Sequence, residues 1–173
     1  MTRYFSQLIA WGCLAILTLT PVAALFFLIN IDNFASLARH SLELGIQWQT
    51  VTQSQWYGLW FLTMLYLLTG LSGLYFLRRA FANFARGELF NHNNSRDLRL
   101  FSIFLFVQGL AKPVHLALSS LLLSLNHPAG QQLISISLGS SEIKVISLAM
   151  ILWVMSDLLV RGSKLESENK QFI

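Results

Sequence analysis

The chain has 173 residues, 54% of them hydrophobic and 12% charged, with a formal net charge of +4. Soluble domains carry roughly 25% charged residues, so this composition excludes an ordinary globular exterior and places the chain among membrane proteins. Thirteen Phe and five Trp suit lipid-facing surface and interfacial belts, and the single cysteine, Cys13, excludes an intrachain disulfide.

Four apolar segments approach the roughly 20 residues that cross a bilayer. They are Leu8–Ile31, Trp56–Leu77, Leu100–Leu125 and about Ile143–Val160. They predict one all-α membrane domain over residues 1–173, a four-transmembrane-helix bundle. In the first segment Val22 and Ala24 would suit signal cleavage, but "LFFLINI" carries the apolar run past them and favours an uncleaved anchor. In the loop that follows, Phe34, Leu37, Leu42, Leu44 and Ile46 among polar residues predict a short interfacial helix or a lid. Trp48, Trp56 and Trp60 fit an outer aromatic belt.

In the second span Thr69 and Gly73 form a small-xxx-small face that lets another helix approach closely. The connection over 78–99 opens with Phe76, Ala80, Phe81, Phe84 and Ala85 at helical spacing. The second helix is therefore predicted to continue past the bilayer as an amphipathic stretch and to stop at Gly87. "NHNNS" reads as a turn, with Asn94 or Ser95 capping the third helix and Asp97 in its first turn. His92 lacks a second ligand at metal-binding spacing, so no metal is expected there.

The third span carries a polar stripe. Gln108, Lys112, His115 and Ser119 fall within about 60° of one helical face, the rest being Leu, Phe, Val and Ala. Such a stripe faces protein or trapped water. Pro113 removes the hydrogen bond to the Gly109 carbonyl and predicts a kink, with the freed carbonyl and Gln108 as partners for the Lys112 ammonium. Three readings of the lysine stand open: a knot that fixes packing, a site for an anion or a proton relay, or a cation reaching the outer aqueous face.

Before the fourth span, Ile134, Ile136 and Leu138 alternate with serines, predicting a short strand or hairpin turning at Gly139 and Ser140. The competing reading has Ser140 cap the fourth helix directly. Asp157 lies within the fourth span, too far towards its end to meet Lys112. Arg161, four residues on, is its expected partner and the two read as an interface anchor.

Charge placement orients the chain. Arg3, the five arginines of the 78–99 connection, and Arg161, Lys164 and Lys170 of the 161–173 tail are nine of its twelve Lys and Arg. Only Arg39 and Lys144 lie in the opposite loops. Both termini and the connection are expected in the cytoplasm, with anionic headgroups as the basic patch's partners. No helix-turn-helix or comparable module supports direct nucleic acid binding.

The turn motif at Gly87, Phe90, Asn93, Leu98 and Arg99, with the tail pattern at Arg161, Gly162, Leu165 and Glu168, resembles the bacterial family catalogued as domain of unknown function 2975. The resemblance implies a small four-span inner-membrane protein, often encoded beside a small helix-turn-helix regulator, with no established activity. No catalytic motif, phosphate loop or cofactor signature is present, so no enzyme is expected. The expected function is regulatory or sensory, through a partner. The alternative is a homo-oligomeric transporter or channel lined by the stripe.

Overall fold

A computed structural model describes residues 2–42, 45–87, 92–128 and 130–169, with side chains for all of these except Thr2, His92 and 163–169. Its helices are α1 (Thr2–Ile29), α2 (Ile31–Ser41), α3 (Gln53–Ala85), α4 (His92–Ser124) and α5 (Ser140–Asn169). A 3-10 turn at Trp48–Thr50 precedes α3. Four stretches, Arg3–Ile29, Gln53–Ala85, Asn93–Ser124 and Ser140–Gly162, are long and apolar enough to cross a membrane. Their large apolar side chains point outwards, with Leu19, Phe61, Val114 and Val154 all exposed. That reversal of the soluble pattern fits a multi-pass membrane protein.

Local chemistry sets the ends of α3. Thr52 and Gln55 form a capping box in which Gln55 Oε1 accepts the Thr52 N–H at 2.7 Å. At the other end Arg86 is the C-cap and Gly87 takes φ +88°, a left-handed conformation costly to any side chain. The extension past Leu77 and the stop at Gly87 are as the sequence predicts. The α4 helix starts earlier than predicted, at His92, so Asn94 and Ser95 are helical residues rather than caps. Both are buried, and Asn94 Oδ1 accepts a bond from Asn83 Nδ2 at 2.6 Å. Asp97 consequently lies beyond the first turn.

The spanning helices form a row. α1 packs on α3, α3 on α4 and α4 on α5, while no other pair of the four meets to a comparable extent. The four predicted spans are present, and among the described residues they pack in sequence rather than each on two neighbours. The physical reason lies in the solvent. Lipid tails are as apolar as leucine, so α1 and α5 gain little by burying their outer faces on each other.

The α3–α4 pair is antiparallel and bonded along its length. Gln55 Nε2 donates to the Leu122 carbonyl at 2.7 Å, Thr63 Oγ1 lies 3.3 Å from His115 Nε2, and Arg79 Nε lies 3.1 Å from Asp97 Oδ2. A Cβ on Gly73 would sit 3.1 Å from Phe104 Cβ, so the predicted small-residue face does meet a helix. At one end α2 closes the row as a lid. Its Ile31, Phe34, Ala35 and Ala38 pack with Ile46, Trp56, Leu59 and Leu123 into the main hydrophobic cluster. Arg39 stands 5.2 Å over the Trp56 ring, which stacks with Trp48. This is the capped end; the end carrying Arg78, Arg86 and Arg99 is the basic end.

The predicted strand is also corrected. No strand occurs among the described residues, and 131–139 is neither helix nor sheet. Its donors go to α4 instead: Leu133 N–H donates to Ser124 Oγ at 2.9 Å and Ser135 N–H to Ser120 Oγ at 2.8 Å. Two residues of this stretch thus match one turn of α4, as an extended chain at ~3.3 Å per residue should. Serine hydroxyls replace the missing neighbour strand.

Candidate functional site

Because 131–139 descends along α4, α5 begins level with Lys112. That level is twelve residues, about 18 Å, short of the α4 terminus at Ser124. Gly139 is the residue before the α5 helix, and its carbonyl accepts the Ile143 N–H. Glu142, three residues on, bends back so that Oε2 accepts the Gly139 N–H at 2.7 Å, the reciprocal half of a capping box. Ser140 therefore is not the cap, and the carboxylate occupies the positive end of the helix dipole.

Lys112 meets that carboxylate. Its ammonium is ion-paired to Glu142 Oε1 and lies 3.3 Å from Ser141 Oγ, which itself donates to Glu142 Oε1 at 2.8 Å. The lysine side chain is 53% exposed and the glutamate 5%. The buried partner is thus the carboxylate, held by a backbone N–H, a hydroxyl and a cation. Buried charges persist under such full satisfaction. Tyr66, Leu105, Gln108 and Val145 complete a cavity of about 240 Å³ beside the pair.

The polar stripe is divided between two seams. Lys112, at one edge of its arc, faces α5. Gln108 packs on α3 at Gly70, where a Cβ would lie 2.5 Å from Gln108 Nε2. His115 also faces α3, beside Thr63 and 5.1 Å from the Tyr66 ring centroid. Ser119 is fully buried, and among the described residues its Oγ has no hydrogen-bond partner. Gln108, His115 and the freed carbonyl are therefore not the partners the ammonium takes. Pro113 is buried inside an α4 that stays helical across it. Gly109 serves the packing: a Cβ there would lie 2.9 Å from Ile146 Cγ1 of α5.

Other expected residues stand apart. Asp157 and Arg161 are both exposed on α5, and no ion pair joins them among the described residues. In the turn motif, Gly87 ends α3, Asn93 is exposed, Leu98 is buried and Arg99 stands 5.1 Å over the Trp153 ring. Phe90 lies outside the described residues, as do the side chains of Leu165 and Glu168. No group of three His, Cys, Asp or Glu among the described residues is placed to hold a metal.

Sequence reasoning missed Glu142 because the fourth span was started at Ile143. The signal was a Gly-x-x-Glu spacing at 139–142, which marks a helix start. Thr63, Tyr66 and Gly70, at i, i+3 and i+7 on α3, similarly marked the face that receives Gln108 and His115.

No curated protein and no solved structure matches the chain. A family model described as "Protein of unknown function (DUF2975)" matches residues 46–173, a stretch that contains both the α3–α4 and α4–α5 seams. The chain belongs to that family.

Proposed function

We propose that this chain is a non-catalytic protein of the bacterial inner membrane, with both termini in the cytoplasm, that regulates or senses through a protein partner at its basic end. The observation that carries this reading is the α3–α4 hairpin. Beyond the Arg79–Asp97 pair the two helices stay bonded to each other through Asn83 and Asn94, and they present the exposed Arg86 and Arg96 on a rigid support. A preformed basic surface suits an acidic partner surface at low ordering cost. The Lys and Arg skew supports the orientation, and the family resemblance supports a small helix-turn-helix regulator as the partner.

Co-purification of the full chain with the regulator encoded beside it tests the reading. Arg96→Glu should abolish the complex while leaving the chain in the membrane. Proton or anion flux through liposomes, abolished by Lys112→Met, would overturn the reading in favour of a transporter. A reporter fused after Ile173 that works only in the periplasm would overturn the orientation.

A further inference from the structure

The basic end holds a second cavity, in the groove between α1 and α3. It measures about 230 Å³. Leu14, Trp11 and Ala10 of α1 and Ala82 and Ala85 of α3 give it an apolar wall; Gln7, Arg78 and Arg86 supply the polar atoms. The alanines keep the two helices from filling the groove themselves. Arg78 and Arg86 lie eight residues apart on α3, so their α-carbons are separated by about 12 Å along the groove.

A third guanidinium closes the end. Arg3 of α1 lies over Gly87, near enough that a Cβ there would be 3.0 Å from its Nη2. None of these three arginines takes part in an ion pair among the described residues, whose two carboxylate pairs belong to Arg79 and Lys112. The Arg86 guanidinium donates to Asn83 Oδ1, a neutral acceptor. Among the described residues no carboxylate lines the groove.

We propose that this groove binds one anionic phospholipid. Its phosphodiester is held by Arg78 and Arg86 with Arg3 at the rim, and its acyl chain lies along Trp11, Ala82 and Leu14. The chemistry is complementary on both counts. Guanidinium forks bind phosphate oxygens bidentately. Trp11 is 70% exposed, and an indole at the headgroup level suits an amphipathic ligand. The apolar wall favours a lipid over free phosphate, which would use only the guanidinium side. A diffuse surface potential would need neither the alanine-lined cleft nor the shared position of the cations.

Native mass spectrometry of the full chain in detergent, titrated with phosphatidylglycerol, phosphatidylcholine or inorganic phosphate, tests the site. One phosphatidylglycerol should bind in preference to phosphatidylcholine. Arg78→Gln with Arg86→Gln should weaken it at least about tenfold, since both cations that face the phosphodiester are removed. The charge-matched control, Arg99→Gln with Arg161→Gln, should keep wild-type affinity. Equal loss in both double variants, or equal binding of phosphatidylcholine, overturns the proposal. Displacement of the lipid by millimolar inorganic phosphate would reassign the site to a free anion and overturn it too. Ala82→Leu fills the groove without changing charge, so it covers the case in which the arginine variants fail to fold. Undiminished binding by Ala82→Leu would be decisive against the proposal.

Discussion

The two seams of α4 are built differently. Along α3 it is bonded at Leu122 and His115 towards the capped end and at Asp97 and Asn94 towards the basic end, with Gly70 and Gly73 packed on Gln108 and Phe104 between them. Along α5 the helical contact starts only at Lys112, and the rest of α4 is covered by the non-helical 131–139 stretch. The first seam spreads its polar contacts; the second gathers most of them around Lys112 and at two serines, with Arg99 over Trp153 nearer the basic end. Redundant bonding suits a scaffold. Polar contacts gathered in one stretch let substitutions there loosen that stretch while the first seam stays bonded.

The largest effect should come from Glu142→Ala. It removes the counter-ion of Lys112 and the acceptor of the Gly139 N–H together, so α5 should lose its anchored start. Thermal unfolding in detergent should show a fall of several degrees. Adding Lys112→Met to Glu142→Gln should restore most of the loss relative to either single change, because the neutral amide still accepts from Gly139. Additive losses would show that the two side chains do not act as a pair.

Next come the serines. Ser120→Ala with Ser124→Ala leaves the Leu133 and Ser135 amides without partners, each worth about 1–3 kcal/mol where buried. Hydrogen exchange at those two amides should accelerate while α3 amides stay protected. Uniform acceleration would make the seams one cooperative unit. Gly109→Val should follow, its Cβ pressed on Ile146, with an overpacking cost of about 1–3 kcal/mol confined to the α4–α5 seam.

The capped end should respond less. His127 Nε2 accepts the Gln47 N–H at 3.2 Å and its Nδ1 lies 3.2 Å from the Gln131 carbonyl, tying together the two loops at the capped end. His127→Ala should cost about 1–2 kcal/mol and expose the 45–52 loop to protease, with the seams unaffected. The smallest effect belongs to Asp157→Asn. Its carboxylate has no ion-pair partner among the described residues, so stability should stay within about 0.5 kcal/mol of wild type. A larger loss would show that Asp157 and Arg161 pair in the membrane.

What the sequence by itself determined is local. Four apolar runs, a short helix after the first span, the continuation of α3 past Leu77 and its stop at Gly87 all follow from length, period and one glycine's backbone freedom, whereas the buried face of α2 is Ile31, Phe34, Ala35 and Ala38, with Leu37 exposed. The stripe on α4 was legible as a stripe, since 100° per residue fixes which side chains share a face. Its division was not. Lys112 and Glu142 are thirty residues apart, and they meet because Ser120 and Ser124 hold 131–139 extended along α4 and so delay the α5 start. That register depends on bonds between segments, which no local pattern encodes. Which spans pack on which was hidden for a related reason: in lipid a helix face that touches another helix can be as apolar as one that touches acyl chains. Only the tertiary structure decides which is which.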